Sequence, residues 1–118
     1  MKEFIWIGEE EGTLTVRPVC EIDHHTSRIM RELIDKRIFE AKPKELLLDF
    51  SSVGFMDSSG IGLIIGRCSV CESIGAYVRL CGLSDNIRKL VRLCGVEKIK
   101  NLSVDPMGAM VRERKEHL

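Results

Sequence analysis

A short apolar run in the middle of the chain limits the possible folds more than any other feature. Residues 45–50 read Glu-Leu-Leu-Leu-Asp-Phe, and polar residues and then a longer apolar segment with helical spacing follow them. A nearly continuous apolar run of this length is typical of a β-strand that is covered on both faces. A helical pattern precedes it over residues 26–40. The order strand, helix, strand predicts a parallel crossover, which is right-handed in nearly all proteins.

Two β-rich segments at the start of the chain predict a hairpin. They are residues 4–7 and 13–17, and a glycine-bracketed acidic segment, residues 8–12, is expected to be the loop between them. Pro18 has no backbone N–H to donate, so the second strand is expected to end near an edge or to leave the ladder there. Residues 20–25 then form the predicted loop that leads to the first helix.

Three helices are predicted from apolar spacing and from capping residues. The first begins near Thr26, with Asp23 or Thr26 as its cap, and Ser84 caps the third. The core stripe of the second helix is expected to consist of Ile61, Ile64, Ile65, Cys68, Cys71 and Ile74. The stripe of the third helix is expected to consist of Ile87, Leu90, Val91 and Cys94. Beside the stripe of the second helix, a further set is either more core or a partly exposed strip: Leu63, Gly66, Arg67 and Val70.

The remaining segments complete an α/β pattern. Residues 76–82 predict a strand and residues 96–99 a short strand or turn, whereas Asp105 and Pro106 predict the start of a final helix. We therefore expect one α/β domain over residues 1–118, with a mixed β-sheet and about four helices.

Three polar residues stand where the second helix is predicted to begin. Asp57, Ser58 and Ser59 all have side chains that cap helices well, although a helix start needs only one cap. Gly60 and Gly62 follow, each at a cost of about 1 kcal/mol in helix stability relative to alanine. Glycines in these places suggest a close approach of a neighbouring segment or of a partner protein.

Two stretches carry a resemblance to a known family. Residues 55–67, Phe-Met-Asp-Ser-Ser-Gly-Ile-Gly-Leu-Ile-Ile-Gly-Arg, and residues 21–26, Glu-Ile-Asp-His-His-Thr, resemble the anti-sigma factor antagonists of the STAS-domain family, above all those of sporulation. The resemblance covers nearly the whole chain. It implies a mixed sheet with helices and phosphorylation of Ser58 by an anti-sigma factor that is also a serine kinase. Cys20 departs from the glycine that is common in relatives.

The resemblance also implies a mechanism. The unphosphorylated form binds the anti-sigma factor and frees the sigma factor, whereas the phosphorylated form does not bind, and a PP2C-type phosphatase returns it to the unphosphorylated form. Asp57 and Ser59 are expected to frame Ser58, with Asp23 and His24 as partner contacts in the adjoining loop. The same expected partner-binding surface includes Met56, Gly60 and Ile61. An alternative function is that of a STAS interaction module within a larger stress-signalling complex.

Other chemistry fits the sequence less well. Cys68 and Cys71 have the spacing of redox or zinc sites, but they lie on the apolar face of a predicted helix without a second pair. The glycines from Gly60 to Gly66 depart from the dinucleotide-binding spacing, so no cofactor is expected.

A hydrolytic or metal site is also disfavoured. Ser58, a histidine and Asp23 could be imagined as a triad, but no nucleophile elbow surrounds the serine. Asp23, His24 and His25 lack a third well-spaced metal ligand. We therefore expect that the chain is not an enzyme.

The composition limits the kinds of partner that the chain is expected to bind. The 118 residues carry 18 basic and 18 acidic side chains, so no net charge attracts nucleic acid or an anionic membrane. The N-terminus lacks the pattern of a signal peptide, and no segment has the length of a membrane helix. Five cysteines, an odd number, suit reduced and mostly buried thiols. We expect a cytoplasmic protein.

Overall fold

Five strands and three α-helices alternate along the chain in a computed structural model, which describes residues 4–106. The strands are β1 (Ile5–Glu10), β2 (Thr13–Pro18), β3 (Glu45–Asp49), β4 (Tyr77–Cys81) and β5 (Leu102–Val104). The helices are α1 (His24–Ala41), α2 (Ser58–Ser73) and α3 (Asp85–Cys94), with a short 3₁₀ turn at Val96–Lys98.

The sheet order is the chain order, β1-β2-β3-β4-β5. The first pair is antiparallel and the other three are parallel, which makes the sheet mixed, as predicted. Because each parallel connection advances by one strand in the same direction, right-handed crossovers place all three helices on one face. The mixed α/β fold is thus confirmed, with three α-helices within the described residues.

The hydrophobic core lies between the helices and one face of the sheet. Every second residue of the parallel strands belongs to it, including the aligned set Leu14, Leu46, Val78 and Leu102. From the helices it takes Met30, Ile34, Ile38, Ile61, Leu63, Ile64, Cys68, Cys71, Ile87 and Val91. Both faces of β3 are buried, because Leu47 and Asp49, which point away from the helices, are each only 1% exposed.

The hairpin differs from its predicted form. β1 continues through Glu10, so most of the acidic segment that was expected to be a loop is strand. Only Glu11 and Gly12 form the turn, both with positive φ, as a two-residue hairpin turn requires. Gly8 lies inside the strand, where the Trp6 ring occupies the space that a side chain would need.

Two residues were wrongly assigned to the core, and the last strand was missed. Ile65 and Cys94 were placed in core stripes but are exposed, because the buried arcs of α2 and α3 are narrower at those positions. Residues 96–98 form a 3₁₀ turn, in agreement with the turn alternative, whereas the last strand, Leu102–Val104, was not predicted. The predicted final helix beyond Pro106 lies outside the described residues.

Candidate functional site

Two helix starts lie side by side at one end of the sheet. The segments before α1 and α2 run parallel and join in an isolated β-bridge between Ile22 and Met56. Ile22 donates its N–H to the Phe55 carbonyl at 3.0 Å and accepts from the Asp57 N–H at 3.1 Å. The next residue in each segment, Asp23 or Asp57, is the N-cap of its helix. The bridge therefore brings together the two stretches that carry the family resemblance.

Asp57 performs the capping of α2. Its carboxylate accepts the Ser59 N–H at 2.8 Å, and its carbonyl accepts the Gly60 N–H at 2.9 Å. Ser58 occupies the first helical position and is exposed, and its hydroxyl makes no hydrogen bond to any residue between 4 and 106. Ser59 is half-buried. Ser58 is therefore the serine of this pair that projects freely into solvent.

Asp23 caps α1 through a reciprocal pair of hydrogen bonds. Its carboxylate accepts the N–H groups of His25 and Thr26, both at 2.9 Å, and its own N–H donates to Thr26 Oγ1 at 2.9 Å. The Thr26 hydrogen bonds, foremost that of its backbone, lower the pKa of Asp23. The carboxylate is therefore a fixed negative charge on the surface beside α2, with exposed His24 next to it.

Three of the expected partner contacts lie beneath the surface. Met56, Gly60 and Ile61 are buried. A Cβ at Gly60 would overlap the Met56 side chain, so this glycine serves the close approach of a neighbouring segment. These three residues support the site from below.

The exposed neighbours of Ser58 were not singled out from the sequence. Phe55 is 53% exposed and Ile65 is 45% exposed. The exposed side of α2 runs along Ser58, Gly62, Ile65 and Ser69, which we call the α2 stripe. No Cβ-sized obstacle faces Gly62, so a partner could come close to the helix backbone there. Gly54 before Phe55 was the available signal, since glycine favours an exposed loop tip.

An ion pair behind the site fixes the loop between β3 and α2. Asp49 is buried, accepts the Ser51 N–H at 3.0 Å and pairs with Arg17 Nε at 3.1 Å. Burial opposes the charge of Asp49, but the hydrogen bonds from Ser51 and Arg17 outweigh it, so its pKa is lowered. The Arg17 guanidinium also stacks on the Trp6 ring, 4.9 Å from its centroid.

A second ion pair joins the two helices whose starts form the site. Arg67 of α2 is buried and contacts Asp35 of α1, with Nε–Oδ1 and Nη2–Oδ2 distances of 2.9 and 3.3 Å. Leu63 is buried beside them, whereas Gly66 and Val70 are half-buried. None of these four residues of α2 is exposed, so the set that was predicted to be either core or an exposed strip belongs mostly to the core.

The cysteine pair of α2 is poorly suited to redox or metal chemistry. Burial raises the pKa of both Cys68 and Cys71 to about 11, whereas reactive thiols have lowered values. No group of three His, Cys, Asp or Glu side chains within residues 4–106 could hold a metal ion.

The STAS domain family matches residues 7–107. The chain belongs to the STAS domain family. An anti-sigma F factor antagonist of Paenibacillus polymyxa is 37% identical over 71 residues, which are 60% of this chain. The chain spans 61% of the length of this curated relative.

Two solved structures resemble this STAS domain closely. The anti-sigma factor antagonist SpoIIAA in its unphosphorylated form is 26% identical, with a TM-score of 0.73 over 86% of this chain and 88% of that one. SpoIIAA of Bacillus in its phosphorylated form is also 26% identical, with a TM-score of 0.66 over 86% and 91%. In the described part of this STAS domain, no helix is long and apolar enough to span a membrane.

Proposed function

We propose that this STAS domain is an anti-sigma factor antagonist that is switched by phosphorylation of Ser58. The observation that supports this proposal most directly is that the Ser58 hydroxyl is exposed and free of hydrogen bonds, because Asp57 caps the helix instead. The relatives named anti-sigma factor antagonists, and the phosphorylated form of SpoIIAA, support the proposal. The partner is an anti-sigma factor with serine-kinase activity, and the chain itself is no enzyme.

The position of Ser58 suits a reversible modification. The first turn of a helix has free N–H groups and a partial positive charge, which favour a phosphate. The helix can therefore accept the modification without unfolding. A PP2C-type phosphatase would need the same access to the exposed oxygen as the kinase, and we place the whole cycle in the cytoplasm.

The modification would act on the surface. A phosphate adds a charge of about −1.5 to −2 beside the carboxylates of Asp57 and Asp23. An apolar or acidic partner surface would have to desolvate or repel this charge on binding. A penalty of only about 3 kcal/mol weakens binding roughly a hundredfold. The α2 stripe with Phe55 supplies apolar contacts for the unphosphorylated state.

The phosphorylation test uses the anti-sigma factor kinase and ATP, followed by peptide mass spectrometry. Phosphate is expected on Ser58, whereas the matched variant Ser58→Ala should take none and Ser59→Ala should be modified like the wild type. Phosphate on Ser59 in the wild type would contradict the assignment.

The binding test compares two variants of Ser58 with the wild type by titration calorimetry. Ser58→Asp should keep the circular dichroism spectrum of the wild type and lose about a hundredfold in affinity for the anti-sigma factor. Ser58→Ala should bind like the wild type. Equal affinity of Ser58→Asp and wild type would refute the electrostatic switch. If a pull-down with this protein captured a large assembly of STAS proteins in place of a small kinase, that result would favour the alternative function as an interaction module.

A substitution on the α2 stripe tests the surface itself. Ile65→Glu should weaken partner binding, because it puts a charge where an apolar contact is proposed, whereas Glu72→Gln, farther along the helix, should not. Both positions are exposed, so the fold is expected to tolerate both changes.

A further inference from the structure

β5 forms one edge of the sheet, and no strand lies beyond it in the described part of the chain. On its inner side, the Asn101 carbonyl accepts the Val78 N–H at 2.8 Å. Two strand positions further on, the Asp105 N–H donates to the Leu80 carbonyl at 2.9 Å. Because successive residues of a strand direct their N–H and C=O groups to opposite sides, those of Val104 point away from β4. The edge can therefore accept a further strand.

The backbone of Val104 is the centre of this free edge. Leu102, at the start of β5, turns its N–H back to the Ile99 carbonyl at 3.1 Å. The Val104 N–H has no such acceptor among the backbone groups of residues 4–106. Val104 is half-buried, and Ser103 before it is exposed. One backbone donor and one backbone acceptor are therefore available at this position to a segment from outside.

Two pockets flank the free edge, one toward each face of the sheet. The pocket on the helix side has a volume of about 260 Å³ and includes Val91 and Val104. The pocket toward the outer face has a volume of about 450 Å³ and includes Lys44, Tyr77 and Lys100. Side chains of an added strand would point alternately to these two faces. Pockets for alternate side chains give such an edge its specificity for the strand that it binds.

The charge at the outer pocket favours an acidic strand. Lys44 and Lys100 are exposed and form no ion pair in the part of the chain that the structure describes. The acidic residue of this pocket, Glu45, is directed to Arg79, with 3.6 Å between its Oε2 and the guanidinium Nε. The two ammonium groups therefore lack a local counter-charge and would attract carboxylates.

The helix-side pocket favours an apolar residue instead. Val91 is buried and Val104 is half-buried, and both contribute aliphatic surface. Glu97 and Asp105 in the same wall would repel a carboxylate. An added strand therefore fits best when its acidic residues alternate with apolar ones.

We propose that the free edge of β5 binds an extended segment of a partner protein in which acidic and apolar residues alternate. Backbone hydrogen bonds at Val104 supply the pairing, the two lysines attract the acidic side chains, and the apolar side chains lie on the helix side. β1, at the opposite edge of the sheet, carries Glu9 and Glu10 and would repel the same segment. The inference does not depend on the phosphorylation of Ser58.

The test is an NMR titration of the full chain with an acetylated and amidated peptide of alternating glutamate and valine, at constant ionic strength. The Val104 N–H should exchange rapidly with solvent in the free protein and become protected when the peptide binds. Its resonance should shift and saturate, whereas the amide resonances of β1 should not shift. The same peptide with lysine in place of glutamate should cause no saturable shift.

Three outcomes of this titration would overturn the inference. The first is protection of the Val104 N–H in the absence of peptide, because another segment would then cover the edge. The second is equal binding of the glutamate and lysine peptides. The third is a shift of the Val104 resonance that grows with protein concentration alone, because a second copy of the chain would then occupy the edge.

A substitution at Val104 tests the backbone pairing. Val104→Pro removes the N–H that points to the edge and leaves the hydrogen bonds to β4 in place, so peptide binding should be lost. Val104→Ala keeps the N–H and is the matched control, which should still show saturable binding. Binding of the peptide to a folded Val104→Pro protein with the affinity of the wild type would refute the pairing.

A charge reversal tests the outer pocket and remains decisive if Val104→Pro does not fold. Lys100→Glu should weaken binding of the glutamate peptide by about fivefold. Arg28→Glu, at an exposed position of α1, makes the same change in net charge away from β5 and should bind like the wild type. Equal affinities of these two variants would refute the assigned role of the lysines.

Discussion

At the scale of single residues, neighbouring side chains that could all cap a helix have different roles in the structure. Asp57, Ser58 and Ser59 are all able to cap α2, and the sequence alone leaves the choice open. Asp57 takes the cap through the Ser59 N–H, and this leaves Ser58 exposed. The difference depends on which oxygen faces the free N–H groups, a matter of backbone geometry that composition does not encode.

The two glycines after the serines also differ, and this allows a matched prediction. Gly60→Ala should destabilise the protein by about 1–3 kcal/mol, because its Cβ would overlap the buried Met56 side chain. Gly62→Ala has open space for its Cβ and should stabilise the helix by roughly 0.5–1 kcal/mol. Urea denaturation of both variants measures the difference. Equal effects of the two substitutions would show that Met56 gives way freely.

At the scale of elements, the ion pair between α1 and α2 is the feature that the sequence hides best. Arg67 and Asp35 are 32 residues apart, and an arginine in an apolar helix gives no indication of its partner. The bridge between Ile22 and Met56 joins the segments before the two helices, and this ion pair joins the helices again farther along their length. The helix starts that form the candidate site are therefore held in register.

Removal of one partner of this pair should be costly. We expect Arg67→Ala to lower the free energy of unfolding by about 3 kcal/mol, since it leaves Asp35 without its buried partner and removes packed side-chain volume. Arg37→Ala breaks only exposed ion pairs with Glu9 and Glu40 and should cost about 0.5 kcal/mol. Denaturation midpoints at constant m-value give both figures. Similar costs for the two variants would contradict the assigned role.

The ion pair below the β3–α2 loop predicts a pH dependence. The pKa of Asp49 is lowered from its ordinary value of 3.8 in the folded protein, so folding favours its charged form. Its contribution to stability is fully present above pH 3.8 and is lost as the pH falls through the lower folded-state pKa.

Asp49→Asn tests this dependence. It should destabilise the protein by about 1–3 kcal/mol at pH 7, because the bond with Arg17 loses its charge. The difference from the wild type should shrink as the pH falls below 4. Denaturation curves between pH 7 and pH 2.5 measure it, and a constant difference over this range would refute the linkage.

The elements themselves could be predicted well where the sequence pattern is local. Apolar spacing and caps located α1, α2 and α3, and the apolar run at residues 46–48 located β3, because periodicity and burial are properties of neighbouring residues. β5 was missed because three residues carry little periodic signal. The long-range bridge and both ion pairs were missed because they join segments that are distant in sequence.

At the scale of the whole molecule, consecutive strand order gives the sheet two unlike faces. One face packs against all three helices, and the other carries charged and aromatic groups such as Trp6, Arg17 and Arg79 over buried Leu47. Right-handed crossovers turn this strand order into a one-sided arrangement, but the alternation of elements does not fix the order, because a sheet with helices on both faces shows the same alternation. The charged network over Leu47 could not be predicted either, because it depends on which residues stand opposite in the register.

The five cysteine thiols are buried to different degrees, so they should be modified at different rates. Cys94 is exposed, Cys20 is half-buried, and Cys68, Cys71 and Cys81 lie in the interior. Burial raises the pKa of Cys20, and its neighbours Asp23 and Glu21 raise it further, so its reactive thiolate is scarce. Iodoacetamide at pH 7.5 should therefore modify Cys94 first and Cys20 more slowly.

Cys68 and Cys71, which lie on α2, should react only when α2 and the sheet separate. Their modification should follow the unfolding transition as urea is added, because local fraying at the surface does not expose them. Intact-mass and peptide mass spectrometry at a series of urea concentrations measures the order. If Cys68 or Cys71 reacted as fast as Cys94 without urea, α2 would have to open from the sheet in the native state. The packing that holds Ser58 at a fixed helix start would then be weaker than the buried contacts between α2 and the core imply.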